Sequence, residues 1–172
     1  MTFCNKFTIL SADEAYSLYT FIKDTDGDIL ELGRFYGGST KVILEAIKET
    51  DRVLISVDMV ARPLLAFDAK DKYLCNNLIA ITADSTKIKY NRVFRTVFVD
   101  TNHSADAVIS DIKNCWNNVD KYFIFHDYIT STSMLDGVKI VVDKLVSNKI
   151  LNKIKVVNTL CITEKSDIDY LL

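Results

Sequence analysis

A doubly wound α/β domain, with a mainly parallel sheet and a C-terminal antiparallel hairpin, is the fold this sequence predicts, on three observations. Five short runs are apolar almost throughout, as strands covered on both faces are. Stretches with the apolar period of a helix separate them. The last two runs stand about two residues apart, which is hairpin spacing.

Taken in order, Ser11 with Glu14 forms a capping box, and Ala15, Leu18, Tyr19 and Ile22 make one face of a first helix. Asp28–Leu32 (DILEL) is a first strand ending at Gly33, and Val42, Ile43, Ala46 and Ile47 face inward from the helix after it. Val53–Val57 (VLISV) is a second strand, and Pro63 suits the first position of a helix running toward Leu74. Leu78–Ala83 (LIAITA) is a third strand, followed by a short connection through Lys87–Asn91, and Thr96–Val99 is a fourth. Ser104 then caps a helix whose inner face is Ala105, Val108, Ile112 and Cys115. Tyr122–Phe125 is a fifth strand, and Leu135, Val138, Val142 and Leu145 line the next helix. Ile154–Val157 and Leu160–Thr163 close the chain as the hairpin.

The 172 residues suit one domain over 1–172, and no repeat or linker divides them. At 49% hydrophobic and 26% charged, the composition is that of a soluble globular protein whose core needs no metal or disulfide staple. With 21 basic against 23 acidic residues, the net charge of −2 gives no electrostatic case for a nucleic-acid partner. No apolar run is long enough to span a membrane, and the first residues show no secretory signal. Cys4, Cys75, Cys115 and Cys161 have no metal-finger spacing and read as reduced thiols, so a cytoplasmic location is expected. Asp24–Asp28 resembles a calcium loop only superficially, with glycine at the fourth position instead of the sixth, and reads as a turn. Tyr16, Tyr19 and Phe21 are expected to pack on the sheet and not to form a lid.

In an open α/β sheet, ligands bind beyond the carboxyl ends of the strands. Here every strand end carries a carboxylate: Glu31, Asp58, Asp84 (followed by Ser85), Asp100 and Asp127 (preceded by His126). Five charged groups in one row point to a crevice, because charge at the end of an apolar strand is costly unless solvated or paired. The glycine loop fits neither common phosphate template. Phe35 stands where the dinucleotide fingerprint needs its second glycine. Gly33 and Gly38 match a Walker loop, but Ser39 replaces its phosphate-binding lysine. What remains is a bend for a ligand of little negative charge, with Glu31 at the strand end and Ser39 capping the helix.

The segment E-L-G-x-x-x-G-G-S-T, followed by a strand ending in Asp58, resembles the first motifs of class I S-adenosylmethionine (SAM)-dependent methyltransferases. The resemblance runs from residue 28 to about residue 165, hairpin included, and implies the Rossmann-like class I methyltransferase fold. It implies that Gly33, Gly37 and Gly38 lie against the methionine part of SAM, with Glu31 and Ser39 also binding the cofactor. Asp58 would take the ribose hydroxyls, and Asp84 with Ser85 would flank the adenine. A donor carrying a sulfonium and an ammonium suits a carboxylate-rich site.

V-F-V-D-T-N-H, ending at His103, and F-I-F-H-D-Y, containing His126 and Asp127, resemble the small-molecule O-methyltransferases that include macrolide sugar methyltransferases and cephalosporin-biosynthesis relatives. That resemblance implies a divalent metal, Mg²⁺ or similar, on Asp100 and Asp127, with His103 as general base toward a hydroxyl of a small-molecule or sugar acceptor. His126 replaces the first acid of the family's acidic pair, so either water completes an oxygen shell, or the ion is softer, or none binds. Three rivals follow: a metal-independent methyltransferase, a catalytically inactive SAM-fold interaction subunit, and a nicotinamide-dependent oxidoreductase, which Phe35 opposes. The chain has no insertion large enough for an acceptor cap, a wall that a homo-oligomer could supply.

Overall fold

The computed structural model of the chain describes residues 10–129 and 136–166. Its elements are α1 (Ala12–Asp24), β1 (Ile29–Leu32), α2 (Gly38–Ile47), β2 (Leu54–Asp58), a 3-10 helix (Ala69–Asn77) and β3 (Leu78–Thr82). There follow β4 (Phe94–Val99), α3 (Ala105–Cys115), a 3-10 turn (Trp116–Asn118), β5 (Val119–Phe125), α4 (Gly137–Ser147), β6 (Leu151–Val157) and β7 (Leu160–Lys165). The seven strands form one sheet in the order β3-β2-β1-β4-β5-β7-β6, with parallel pairing through β5 and antiparallel pairing of β7 with β5 and β6. This is the predicted doubly wound sheet with its terminal hairpin.

Strand order reverses between β1 and β4, so the chain leaves those two adjacent strands in opposite directions and opens a crevice at their carboxyl ends. Backbone hydrogen bonds extend the pairing past the strand ends, from Gly33 N to Val57 O, Ala83 N to Asp58 O, Asp100 N to Leu32 O and His126 N to Val99 O. The residues just beyond five strands are thereby aligned in one row.

The core lies on both faces of the sheet. Leu18, Ile22, Ile43 and Ile47 from α1 and α2 cover one face, and Val108, Ile112, Val138 and Val142 from α3 and α4 cover the other. Ser11 caps α1 through the expected box, and Glu14 also accepts hydrogen bonds from the Thr159 backbone and hydroxyl, fastening α1 to the hairpin turn. Ser104 caps α3 as expected. Tyr19 and Phe21 pack against the core, Phe21 edge-on to Tyr122, while Tyr16 is exposed.

Three expectations are corrected. No α-helix starts at Pro63; residues 59–68 form an irregular segment, and the helix that follows is a 3-10 helix over Ala69–Asn77. The segment still makes a wall, because Leu64 and Phe67 lie against Gly37. The third strand is apolar in sequence yet half-exposed, since β3 is the sheet edge and Ile79 faces solvent. Ser39 does not cap α2: Gly37, at φ 87°, holds that position, and the Ser39 hydroxyl turns back to Glu31. Leu135 and Cys4 lie outside the described residues. Cys75, Cys115 and Cys161 are free thiols, the last two buried, and among the described residues no helix is long and apolar enough to cross a membrane.

Candidate functional site

A cavity of about 480 Å³ opens at the switch point, lined by residues that follow β1, β2, β3 and β4 and by the facing side of α3. Of the residues singled out in the sequence, Gly33, Asp58, Asp84, Ser85 and Asp100 line it. Glu31, Gly37, Gly38 and Ser39 are not part of its lining.

Glu31 has no exposed surface, and its carboxylate accepts hydrogen bonds from Ser39 Oγ (2.6 Å), Thr40 Oγ1 (2.7 Å) and Ser56 Oγ. Burial pushes this carboxyl above the usual range, against the pull of the three hydroxyls and of Arg34. A charge so enclosed is held by its partners. Here it ties the first turn of α2 to β1 and β2, which fixes the glycine bend from beneath. Gly33 adds a steric condition: its φ is +92°, and a Cβ there would lie 1.9 Å from the Asp100 carbonyl oxygen. Only glycine lets the two strand ends approach this closely.

Asp58 holds the same bend from the cavity side. Its Oδ2 accepts from the backbone N–H of Arg34 (3.0 Å) and Phe35 (2.8 Å), and its Oδ1 from Val60 N (2.8 Å) and Arg62 Nη1 (3.1 Å). Arg62 also lies 5.0 Å over the Phe35 ring. Asp84 belongs to a turn, where it takes Thr86 N and Oγ1 and pairs with Lys87, and these donors hold its carboxyl low, at about 2. No helix follows for it to cap.

At one edge of the cavity Asp100 joins His103, His126 and Asp127. His103 Nε2 lies 3.1 Å from Asp127 Oδ2 and 3.5 Å from Asp100 Oδ1, and His126 Nδ1 lies 3.2 Å and 3.5 Å from the same two atoms. One donor atom each of Asp100, His103 and Asp127 falls within 4.8 Å of the others. Asp127 is in the left-handed region at φ 54°, uncommon for a residue with a side chain and concentrated at functional sites. His126 is buried, and its Nδ1 is aimed between the two carboxylates at ion-pair distance, although neither contact is an aligned hydrogen bond. A divalent cation fits two carboxylate oxygens with one imidazole nitrogen, and an imidazole ligand favours a transition ion over Mg²⁺.

Without a metal the cluster balances its own charge. Burial would lower the His126 pKa, but Asp100 and Asp127 outweigh it and hold the imidazolium up at about 10. A pKa raised on folding gives stability that is complete below the ordinary 6.5 and is lost as pH rises through about 10. Metal-free protein is therefore expected to melt at progressively lower temperature from pH 6.5 to 10. The His126→Asn variant should have a flatter profile, and equal slopes in calorimetry would show that His126 does not carry that charge.

Four contributors escaped the sequence reading: Thr40, Ser56, Arg62 and Asp111. Ser56 and Asp111 left a trace, as polar residues inside an apolar strand and on the inward stripe of α3 beside Val108, Ile112 and Cys115. Thr40 and Arg62 left none, because their partners come from tertiary contact.

Residues 30–128, more than half of the chain, match the family described as a methyltransferase domain. No curated protein matches by sequence. Among solved structures the chain is similar to the O-methyltransferase NovP, with 15% identity, 94% of this chain and 83% of NovP covered, and a TM-score of 0.68. It is similar to the O-methyltransferase TomG from Streptomyces achromogenes, involved in tomaymycin synthesis and solved in complex with SAM, at 14% identity, 91% and 80% coverage and a TM-score of 0.67. It is also similar to CalS11, a TDP-rhamnose 3'-O-methyltransferase of calicheamicin biosynthesis, at 12% identity, 86% and 75% coverage and a TM-score of 0.63. At these identities the likeness is one of fold.

Proposed function

The chain belongs to the methyltransferase-domain family, and from that premise we propose that it transfers a methyl group from SAM to a hydroxyl of a small molecule or sugar. One observation carries the reading: among the described residues the cavity at the switch point is lined by four carboxylates, Asp58, Asp84, Asp100 and Asp111, and by a single cation, Arg62, which is already paired with Asp58. A polyphosphate would meet mainly repulsion there, whereas a sulfonium with an ammonium meets complementary charge. The solved relatives TomG, in complex with SAM, and CalS11, which acts on TDP-rhamnose, support the donor and the acceptor class.

In this reading the bend at Gly33, braced by Glu31 through Ser39 and Thr40, faces the methionine part of the donor. Asp58 takes the ribose hydroxyls, which replace Arg62 on Oδ1, and Asp84 with Ser85 flanks the adenine. The acceptor oxygen approaches from the Asp100 edge and attacks the methyl carbon in line, and S-adenosylhomocysteine (SAH) leaves. A neutral hydroxyl is a weak nucleophile, so its proton has to go to a base as the C–O bond forms. The His103 imidazole is the acceptor of that proton, at the ring nitrogen that does not face Asp100 and Asp127. Asp100, Asp127 and His126 would hold a divalent cation. When bound, it would lower the pKa of the acceptor hydroxyl and orient it. Holding donor and acceptor in line supplies most of the acceleration, up to about 7–11 kcal/mol in such reactions.

The first test is thermal shift with SAM, SAH, NAD and ATP. SAM and SAH are expected to raise the melting temperature and NAD and ATP are not, because selective binding stabilises the folded state by RT ln(1 + [L]/Kd). Asp58→Asn should remove most of the SAM shift. A shift with NAD or ATP alone would refute the donor assignment. A second, metal-independent reading is favoured by His126, whose imidazolium can itself supply the positive charge between Asp100 and Asp127. Thorough chelation separates the two: activity should fall and return with a divalent transition ion, and undiminished turnover would establish the metal-independent route.

A further inference from the structure

Asp111 enters the reading above only through its charge; it is a carboxylate with 2% exposure on the wall of the donor cavity. Its two oxygens accept from two different hydroxyls, Ser85 Oγ at 2.5 Å on Oδ1 and Thr101 Oγ1 on Oδ2. A serine or threonine hydroxyl has one proton to give. Both protons are committed to Asp111, so toward the cavity Ser85 and Thr101 can present only lone pairs. Asp84, beside them on the same wall, also accepts and does not donate. Ser85, Thr101 and Asp84 thus face this end of the cavity with acceptors.

Such a wall distinguishes ligands by what they offer at one position. An exocyclic amine gives it protons, while a carbonyl oxygen at the same place meets lone pairs and loses its hydrogen bond to water without replacement. We propose that Asp111 is a specificity-determining residue that acts through Ser85 and Thr101, making the base end of the donor site select a 6-aminopurine over a 6-oxopurine. The inference rests on the reading that the cavity binds SAM with its base toward Asp84 and Ser85. Asp111 is a positioning residue in this scheme, since it orients the hydroxyls without touching the reacting atoms.

The test compares SAH with its 6-oxo counterpart, S-inosylhomocysteine, by titration calorimetry. Wild type is expected to bind SAH about tenfold more tightly or better, the ratio set by roughly one hydrogen bond. In Asp111→Asn the amide N–H donates to one hydroxyl oxygen and frees that hydroxyl's proton for the ligand, so the ratio should shrink to a few-fold. A merely structural role would weaken both ligands alike and leave the ratio unchanged, which would overturn the assignment, as would equal affinities in wild type. If Asp111→Asn does not fold, Thr101→Val decides the matter: it removes one acceptor at nearly constant volume, a smaller ratio supports the proposal, and an unchanged one overturns it. Failure of wild type to bind either ligand would overturn the donor reading itself, and this assignment with it.

Discussion

Replacing His103 by alanine is expected to lower the turnover number by roughly 10²–10⁴-fold while leaving the SAH dissociation constant within about twofold. The two effects separate because His103 is not part of the donor cavity's lining, although it lies 3.5 Å from Asp100, which is. The turn that carries it does not depend on its imidazole: Asn102 Oδ1 accepts from Ser104 N at 2.9 Å, and Ser104 caps α3. The variant should therefore fold normally and keep its cavity. The hydrogen bond with Asp100 and the nearby charge of Asp127 hold the His103 pKa above its ordinary value, despite the opposing effect of burial and His126. Wild-type turnover should then climb with pH through an ionisation above 6.5, and His103→Ala should lose that limb. Single-turnover rates at saturating donor and divalent ion are the measurement. A full rate in the variant would end the base assignment, and a deficit cured by more metal would move His103 into the ligand set.

The Gly33→Ala protein is expected to lose roughly 2–5 kcal/mol of stability and with it the SAM-induced thermal shift. Alanine at φ +92° is strained on its own account, and its methyl would sit 1.9 Å from the Asp100 carbonyl oxygen. Neither partner can move aside cheaply. Leu32 and Val99 are paired in register, and the Asp100 N–H donates to Leu32 O at 2.8 Å, so moving either strand end breaks the ladder that aligns the site. The displaced Asp100 carries the disturbance into the His103, His126 and Asp127 cluster. Thermal melting with and without SAM checks both parts of the expectation. A stable Gly33→Ala protein with an undiminished shift would mean that the close approach of β1 and β4 is not required.

The strand-end chemistry was legible in the sequence because it is local. The run DILEL ending at Gly33, the acid closing each strand, and the segment from Asp100 to His103 are contiguous in the chain, so their spacing can be read directly. The aromatic side chains at Tyr19 and Phe21 likewise declared their packing through helical period. What reading along the chain missed is who bonds to whom. Glu31 reads as a cofactor contact, but its partner Ser56 lies 25 residues away and closes it off. Asp58 reads as an open ribose acceptor, although Arg34, Phe35, Val60 and Arg62 occupy it.

The exposed β3 and the irregular segment after Pro63 belong to the same class. An apolar run shows that a strand forms but not whether it lies at the edge, and a proline that suits a helix start yields when the segment is needed as a wall over Gly37. The sequence by itself determined the alternation of elements and the row of carboxylates, since both follow from periodicity and order along the chain. Only the tertiary structure decided which carboxylates face the cavity, which are spent on holding it together, and where His126 and Asp111 point. Those outcomes depend on hydrogen bonds between residues far apart in the chain, and such pairings exist only once the strands lie side by side.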